Sequence, residues 1–504
     1  MKTDYDVLII GGGINGCGIA ADAAMRGLSV CLVEAGDLAS QTSSNSSKLI
    51  HGGLRYLEQF DFTMVKKALD ERSVLMKVAP HLVKPLPFFI PYHQQMRPKW
   101  LIRLGLFLYD HLSRKNTLPN SQIHHRNNPL SINYFSPLAD SYRSGFTYYD
   151  AQTNDARLTI ANAQQAKNYG AHILPYHRFV SASPIKQSQW QASISHQNTL
   201  IQTCAKVIIN ATGPWVNLVN KQLGITDPLP INWIKGSHLV VKQLYEGNHA
   251  YLLQGTDKRI IFITPYFQYS MIGTTDVPVD DITKPPHIEP EEIHYLLDLA
   301  QQYFKRPIHE SDVICTWSGI RPLIGDQHEQ AQKMSRDYQL HLTKSPATVL
   351  SIYGGKITTY RQLSNQALEK IREYFPHMGS CITDEVSLPG GNIPSHQWQS
   401  FYQTKQRQYH WISATLFNRY ITTYGNLIDR LLSNCEQIGD LGQHFGDDLY
   451  EREIAYLIEH EWATKTEDVL RRLTDIGLTA QTDTIMHLND YFKGRGTGRD
   501  PDSL

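Results

Sequence analysis

The sequence predicts an α/β protein in which a layer of parallel strands and helices is joined to a second, antiparallel sheet and a helical C-terminal block. The parallel layer is predicted from a short apolar run at residues 6–10 that leads into closely spaced glycines. The antiparallel sheet is predicted from residues 236–275, where polar turns separate runs of alternating apolar residues. The helical block follows residues 388–391, after which apolar residues recur at spacings of three and four.

The N-terminal stretch has the order of a dinucleotide-binding, Rossmann-like unit. Gly11, Gly13 and Gly16 follow the first strand at G-x-G-x-x-G spacing, which permits a sharp turn, a close pyrophosphate and tight packing of the next helix. That helix ends at Gly27, and its N-terminus directs N–H groups toward an anion. A second strand at 28–33 ends at Glu34, whose carboxylate can accept a hydrogen bond from a ribose 2′-hydroxyl. The first strand, the glycines, the helix, the second strand and the acidic residue follow one another at the expected spacings. This order favours dinucleotide binding over a simple Gly-rich turn.

The composition is that of a folded protein of about three domains. The chain has 504 residues, of which 41% are hydrophobic and 19% charged. Lys+Arg and Asp+Glu both number 48, so no overall field attracts nucleic acid. The 6 cysteines are scattered without a C-x-x-C pair, which argues against a zinc site or a disulfide framework and for a reducing compartment. No secretory signal and no apolar run long enough to span a bilayer is expected.

Three further segments carry cofactor-binding features. Residues 40–47 are rich in serine and precede the segment 48–56. They are typical of a solvated linker, or of a turn whose hydroxyl groups donate hydrogen bonds to phosphates and to the edge of a flavin ring. The predicted strand at 205–215 contains a small-residue turn at 211–213, and such a second strand favours FAD over NAD. The last buried strand, 349–353, turns into a helix whose N-terminus lies at the strand's carboxyl end, where α/β folds bind ligands.

A basic stretch from residue 84 to residue 126 encloses an apolar segment at 100–109. Seven Lys or Arg occur in this stretch against one acid, Asp110. The apolar segment is too short to span a bilayer, but it is amphipathic enough to lie in a membrane interface. An ordinary buried helix with a solvated basic collar is an equally good interpretation.

Taken together, these motifs resemble those of the FAD-dependent, respiratory (aerobic) glycerol-3-phosphate dehydrogenases. The matching sequences keep the family's order along the chain: Gly-Gly-Gly-Ile-Asn-Gly16, Ser-Ser-Lys-Leu-Ile-His-Gly-Gly-Leu-Arg-Tyr56, Asn-Ala-Thr-Gly-Pro-Trp215, Lys-Gly-Ser-His238, Ile-Gly-Thr-Thr-Asp276, Ser-Gly-Ile-Arg-Pro322 and Tyr-Gly-Gly-Lys-Ile-Thr-Thr-Tyr360. The absence of a transit-like segment at residue 1 makes the resemblance one to the bacterial form.

The resemblance implies a split Rossmann-like FAD-binding domain with an inserted antiparallel β-sheet substrate domain and an α-helical C-terminal cap domain. The expected boundaries are 1–80, 145–228 and 310–390 for the FAD-binding domain, 81–144 and 229–309 for the substrate and membrane-facing domain, and 391–504 for the helical domain. The implied activity is oxidation of sn-glycerol 3-phosphate to dihydroxyacetone phosphate, with electrons passed through FAD to a membrane quinone. The implied location is peripheral, on lipids of the cytoplasmic face of the inner membrane. A homodimer is compatible with the resemblance.

The candidate site residues combine cations, a base and a cofactor cradle. Guanidinium forks match phosphate oxygens in bidentate geometry. The substrate-binding candidates are Arg55, Tyr56, Thr274, Arg321, Arg336 and Lys356. The catalytic candidates are His238, His51, Arg321 and Lys356. The cofactor-binding candidates are Gly11, Gly12, Gly13, Asn15, Gly16, Glu34, Thr42, Ser43, Ser44, Ser47, Lys48, Leu49, Gly52, Gly53, Ala211, Thr212, Gly213, Gly355, Lys356 and Thr358. No metal site is expected, because the 22 histidines show no ligand spacing.

The general base is expected to be a histidine, because hydride transfer from an alcohol carbon requires removal of the hydroxyl proton. His238 opens a strand of the second sheet and is expected to face the cavity opposite the cofactor. His51 is the alternative near the flavin, and clustered cations could let an Arg or Lys share the role. Two rival functions remain: a glycine-oxidase-like flavin oxidase, which would need one carboxylate-binding Arg rather than this many cations, and a non-catalytic FAD-binding redox sensor. The split nucleotide-binding half argues against a soluble NAD-dependent dehydrogenase.

Overall fold

The computed structural model describes residues 4–185, 189–226, 228–325 and 337–495. The strands in these ranges are β1 (Asp4–Ile10), β2 (Val30–Val33), β3 (Leu49–Ile50), β4 (Val83–Pro91), β5 (Gln122–His125), β6 (Ser144–Thr153), β7 (His172–Leu174), β8 (Arg178–Ile185), β9 (Gln189–His196), β10 (Thr199–Asn210), β11 (Ile231–Lys242), β12 (Ala250–Gln254), β13 (Ile260–Tyr266), β14 (Tyr269–Gly273), β15 (Val277–Val279), β16 (Val313–Ile324), β17 (Gln339–Thr343), β18 (Val349–Tyr353), β19 (His444–Gly446) and β20 (Leu449–Tyr450). The helices are α1 (Ile14–Met25), α2 (Phe62–Val78), α3 (Lys99–His111), α4 (Ile132–Phe135), α5 (Asp155–Asn168), α6 (Val216–Gln222), α7 (Pro290–Gln301), α8 (Tyr360–Ile371), α9 (Trp398–Gln408), α10 (Ala414–Tyr424), α11 (Ile428–Leu431), α12 (Glu451–Glu461) and α13 (Thr482–Gly494).

The first sheet confirms the predicted parallel layer. Its main path runs β17-β18-β10-β1-β2-β7, and every pair from β18 to β7 is parallel. The apolar run of β1 is buried on both faces, as expected for a parallel strand covered by helices. The strand predicted at 205–215 corresponds to β10, which ends at Asn210. It lies between β1 and β18, which brings segments far apart in sequence to one edge. The carboxyl ends of β1, β10 and β18 therefore meet where ligands bind in this class of fold.

The second sheet has ten strands and is mostly antiparallel, in agreement with the prediction for residues 236–275. Strand β11 pairs antiparallel with β14 and β16, and β13 pairs antiparallel with β12 and β14. One pair, β4 with β12, is parallel, which the sequence did not predict. Strands β6 and β16 also belong to this sheet. The domain boundaries, in which residues 145–228 and 310–390 belong to the FAD-binding domain, stay a prediction.

The C-terminal helices confirm the predicted helical block, and they pack on the helices of the first sheet. Apolar residues of α10 and α12 share one buried cluster with those of α1, α5 and α8. Two buried ion pairs join the same regions, Arg157 with Glu461 and Arg472 with Asp37. Removing one partner of such a pair would leave a buried charge uncompensated and would destabilise the protein.

The basic stretch contains the exposed amphipathic helix α3. Its Leu106 and Tyr109 are buried, whereas Trp100 is 68% exposed and Phe107 is 53% exposed. The sequence allowed either an interfacial helix or an ordinary buried one. Because these large apolar side chains are exposed, α3 is not a buried helix. Within the part of the chain that the structure describes, no helix combines the length and the apolar content needed to cross a membrane.

Candidate functional site

The glycine-rich loop forms the floor of a cleft at the carboxyl ends of β1 and β10. Gly11 has φ +112°, and a Cβ there would lie 2.6 Å from the carbonyl oxygen of Ala211. A Cβ on Gly16 would lie 1.9 Å from the carbonyl oxygen of Gly11, so α1 can pack this closely only with glycine at that position. At Gly13, a Cβ would lie 3.0 Å from the hydroxyl of Ser43. The loop therefore has the close backbone packing that the spacing predicted.

The cleft has a volume of about 510 Å³ and polar groups suited to a dinucleotide. The Asn15 side chain donates to the carbonyl of Gly354 at 3.1 Å, while its buried Oδ1 has no hydrogen-bond partner within the described part of the chain. A buried amide oxygen without a partner indicates a donor that a ligand can supply. The cleft also lies at the N-terminus of α1, where backbone N–H groups favour an anion. The residues present fit a bound dinucleotide.

Glu34 has a second role that the sequence did not reveal. Its carboxylate accepts hydrogen bonds from the backbone N–H groups of Gly12 at 2.7 Å and Gly36 at 2.8 Å. Each carboxylate oxygen has further lone-pair capacity, so a ribose hydroxyl can still donate to it. Glu34 thus fixes the glycine loop while it lines the cleft.

About half of the predicted cofactor residues line this cleft. Those that do are Gly11, Gly13, Asn15, Glu34, Thr42, Ser43, Ala211, Thr212, Gly213 and Gly355. Those outside its lining are Gly12, Gly16, Ser44, Ser47, Lys48, Leu49, Gly52, Gly53, Lys356 and Thr358. The cleft is also lined by Arg178 and Trp215, which were not predicted as site residues. Arg178 occurs in a segment without any motif, whereas Trp215 closes one of the family-like motifs.

The second sheet presents a cationic site on one face. Arg321 of β16 lies opposite Ile234 of β11, and its guanidinium donates to Asp276 at 2.5 Å and to the hydroxyl of Thr274 at 3.0 Å. A Cβ on Gly236 would lie 2.0 Å from Nη2 of Arg321. The guanidinium therefore occupies the space that a side chain at 236 would fill. Asp276 and Gly236 were not predicted, although both lie in motifs that carry the family resemblance.

His238 lies on the same face of β11 and is deeply buried. Its ring stacks on Trp317 with centroids 5.7 Å apart, and its Nε2 lies 2.8 Å from the hydroxyl of Ser47. Its Nδ1 is buried, and none of the described residues forms a hydrogen bond with it. Burial, followed by the charges of Arg321 and Lys48, lowers the pKa of His238 to about 3. The ring is thus neutral near pH 7. A pKa this far below 7 makes it a weak base, and its role as the base stays a prediction.

A second group of predicted residues lies around segment 51–56. The backbone N–H of His51 donates to the hydroxyl of Thr358 at 3.3 Å, and the His51 ring lies 6.0 Å from the ring of Phe262. The Nζ of Lys356 lies 3.9 Å from the centroid of the Tyr56 ring, a cation–π contact. The side chain of Arg55 and the whole of Arg336 fall outside the described part of the chain.

The two groups lie next to each other. Phe262 pairs across β13 and β14 with Gly273, and Gly273 pairs with His238 on β11. Segment 51–56 also connects to helix α3, because the backbone N–H of Gly52 donates to the hydroxyl of Tyr109 at 2.9 Å. The arrangement can therefore bind an anion through two cations, Arg321 and Lys356. It also provides the neutral imidazole of His238 for an alcohol.

Comparisons with known proteins identify the same pattern. Residues 6–361 match the family described as FAD dependent oxidoreductase, and residues 381–490 match the C-terminal domain of alpha-glycerophosphate oxidase. The glycerol-3-phosphate dehydrogenase of Pseudomonas aeruginosa is 42% identical over 97% of this chain and 95% of its own. The D-erythritol 1-phosphate dehydrogenase of Brucella abortus is 40% identical over 93% of this chain and 94% of its own. The FAD complex of glycerol-3-phosphate dehydrogenase from Bacillus halodurans has a TM-score of 0.75, with 24% identity over 99% of this chain and 96% of that chain.

Proposed function

We propose a function from one premise: the chain belongs to the family of FAD-dependent glycerol-3-phosphate dehydrogenases. It is an oxidoreductase and FAD is its cofactor. The proposed reaction is oxidation of sn-glycerol 3-phosphate at C2 to dihydroxyacetone phosphate, with the electrons leaving FAD for a membrane quinone.

The observation that carries this proposal is the space left for the guanidinium of Arg321. With glycine at 236, the guanidinium lies close against strand β11, hydrogen-bonded to Thr274 and Asp276. A planar cation fixed on a rigid sheet suits bidentate recognition of a phosphate or of a developing carbonyl oxygen. An arginine held in this way can bind the negative charge of a phosphorylated alcohol, which a neutral polyol lacks. It therefore favours the phosphorylated alcohol as the substrate.

The other site residues take the roles that their chemistry allows. When bound, FAD supplies the acceptor for the two electrons and the hydrogen of C2. His238, buried and neutral, takes the hydroxyl proton. Lys356 and Arg55 add positive charge for the phosphate, and Arg336 completes this clamp. Tyr56 and Thr274 hold substrate oxygens through their hydroxyls. His51 is the alternative base.

A dye-linked assay with purified protein tests the substrate class. The protein should be yellow and release FAD on acid denaturation. Glycerol 3-phosphate should reduce the dye, whereas glycerol and glycine should not. D-Erythritol 1-phosphate belongs in the same panel, because one relative is named for that substrate. A preference for glycine would favour an amino-acid oxidase, and no turnover with any of the four compounds would favour a flavin-binding sensor.

We further propose that helix α3 rests on the cytoplasmic face of the inner membrane, where the quinone is found. Trp100, Leu104 and Phe107 are exposed on α3, and basic residues flank them. Each interfacial Lys or Arg contributes roughly 1 kcal/mol on an anionic surface. Replacing Arg97, Lys99 and Arg103 by Gln should therefore weaken binding to liposomes that contain anionic lipid and reduce its salt sensitivity. Unchanged co-sedimentation would exclude α3 as the anchor.

The proposal also includes a homodimer and electron transfer to quinone. Light scattering of the purified protein would give the mass of the assembly, to be compared with the 57.5 kDa chain. Quinone reduction by glycerol 3-phosphate in the presence of liposomes would test the electron acceptor separately from the substrate.

A further inference from the structure

The tripeptide 46–48 is held by a buried carboxylate. Asp155 is 0% exposed, and its Oδ2 accepts from the hydroxyl of Ser46 at 2.6 Å and from the N–H of Ser46 at 3.1 Å. Its Oδ1 accepts from Nζ of Lys48 at 2.6 Å. Lys48 has φ +54°, a conformation that side-chain-bearing residues rarely adopt. Strained residues of this kind persist where the surroundings over-determine them, and they concentrate at functional sites.

Ser47 lies between Ser46 and Lys48, the two residues that Asp155 holds. Its hydroxyl lies 2.8 Å from Nε2 of His238, whose ring is 1% exposed and packed on Trp317. The indole N–H of Trp317 in turn donates to the carbonyl of Ser46 at 3.4 Å. The contacts hold the serine hydroxyl and the imidazole in one arrangement.

Ser47 also lines a second cleft, which lies between the second sheet and the C-terminal helices. This cleft has a volume of about 590 Å³ and contains many polar side chains, including Asn154, Thr264 and Asp475. The cleft is open to solvent and carries these polar groups, so water can fill it. His238 is not among the residues that line it. Ser47 thus touches the buried imidazole through its hydroxyl and also belongs to the lining of the cleft.

We propose that Ser47 is a positioning residue for His238 and the route by which its proton leaves. The hydroxyl oxygen accepts the Nε2–H bond, which leaves Nδ1 as the proton acceptor of the ring. The inference rests on the proposed function, because it needs an alcohol as the proton donor.

The proton balance is complete. The substrate hydroxyl proton goes to Nδ1, the Nε2 proton goes to the Ser47 oxygen, and the proton of that hydroxyl goes to water in the cleft. Bound FAD would accept the hydrogen of C2 together with its electron pair. The ring ends neutral but as the Nδ1–H tautomer, so its proton must return from Nδ1 to Nε2 before the next turnover. The charged groups near the ring are Arg321 of β16 and Lys48, and both disfavour a proton that stays on the imidazole.

Single-turnover flavin reduction by glycerol 3-phosphate tests the proposal in three variants. Ser47→Ala should slow flavin reduction about tenfold with little change in the substrate concentration that gives half the maximal rate, since one hydrogen bond is lost. FAD content should stay the same. Ser47→Thr, which keeps the hydroxyl, should restore most of the rate. Ser400→Ala is the matched control, because Ser400 is an exposed serine of helix α9, outside every candidate binding segment.

Nitrogen NMR of protein labelled in histidine provides a readout that does not depend on turnover. The His238 signal, assigned by its loss in His238→Gln, should show a neutral ring with the proton on Nε2, and Ser47→Ala should change that signal. A proton on Nδ1 in the unmodified protein, or an unchanged reduction rate in Ser47→Ala, would overturn the proposal. Failure of the unmodified protein to be reduced by glycerol 3-phosphate would instead overturn the proposed function.

Discussion

Replacing Gly236 by Ala tests the placement of Arg321 without removing any charge. The new Cβ would lie 2.0 Å from Nη2 of Arg321, 2.8 Å from its Cζ and 2.8 Å from the hydroxyl of Thr274. The two closest atoms belong to the end of the flexible Arg321 side chain, so the guanidinium can move aside, and the Thr274 hydroxyl must shift slightly, while the sheet stays intact. We therefore expect a functional defect with little change in the free energy of unfolding.

The size of the defect follows from the hydrogen bonds that the shift breaks. A hydrogen bond to a charged group is worth about 1.5–3 kcal/mol, which corresponds to roughly 10- to 150-fold in kcat/KM if the displaced guanidinium loses one such bond to the substrate. A misplacement of about 1 Å can cost a factor of similar size. The expected loss with glycerol 3-phosphate is therefore between one and two orders of magnitude.

The assay is dye-linked turnover, accompanied by FAD content and thermal unfolding. Gly439→Ala is the matched control, because a Cβ at that position meets no atom within 4 Å. It should leave all three measurements unchanged. If Gly236→Ala keeps the kinetics of the unmodified protein, Arg321 does not hold the substrate in the position described.

Three further predictions concern single side chains. Arg321→Lys should lower kcat/KM by roughly 10- to 150-fold with FAD still bound, since an ammonium cannot reproduce the planar fork, and unaffected kinetics would remove Arg321 from the clamp. His238→Gln should slow flavin reduction by about 10²–10⁴. Because the pKa of His238 is lowered to about 3, the rate of flavin reduction in the unmodified protein should fall on the acid side only near that pH. A fall in rate near pH 6.5 that persists in the variant would point to another base. Burial lowers the pKa of His249 from 6.5 to about 4, so the unfolded state binds the proton first and stability should fall as pH drops through this range, by about 1.4 kcal/mol per pH unit. Urea denaturation at both ends of the range should show a smaller loss in His249→Gln, and an equal loss would contradict the assignment.

The parts of the fold that depend on neighbouring residues were predictable from the sequence. The strand, glycine loop and helix from β1 to α1 follow from local periodicity and glycine spacing, and the structure has them at the expected positions. The pairing of β4 with β12 was not predictable, because periodicity shows which residues form a strand and not which strand lies beside it. The buried ion pair of Asp37 with Arg472 is hidden from sequence for the same reason, since more than four hundred residues separate its members.

The site shows the same division. The types of its residues could be inferred, because a phosphate needs cations and an alcohol needs a base. Their surroundings could not be inferred. The prediction that His238 faces a cavity did not include the hydroxyl of Ser47 or the ring of Trp317, which cover it in the structure. The importance of Gly236 depends on where Arg321 of another strand lies, and only the pairing of β11 with β16 reveals it.

Anaerobic reduction of the bound flavin tests whether this protein oxidises glycerol 3-phosphate through FAD. Purified protein is mixed with sn-glycerol 3-phosphate in the absence of oxygen and of any dye, and the absorbance of oxidised FAD is followed. We expect full loss of that absorbance in one turnover, with formation of one dihydroxyacetone phosphate per flavin, and no loss with glycerol or glycine. Flavin that stays oxidised with glycerol 3-phosphate, or that is reduced equally well by glycerol, would contradict it.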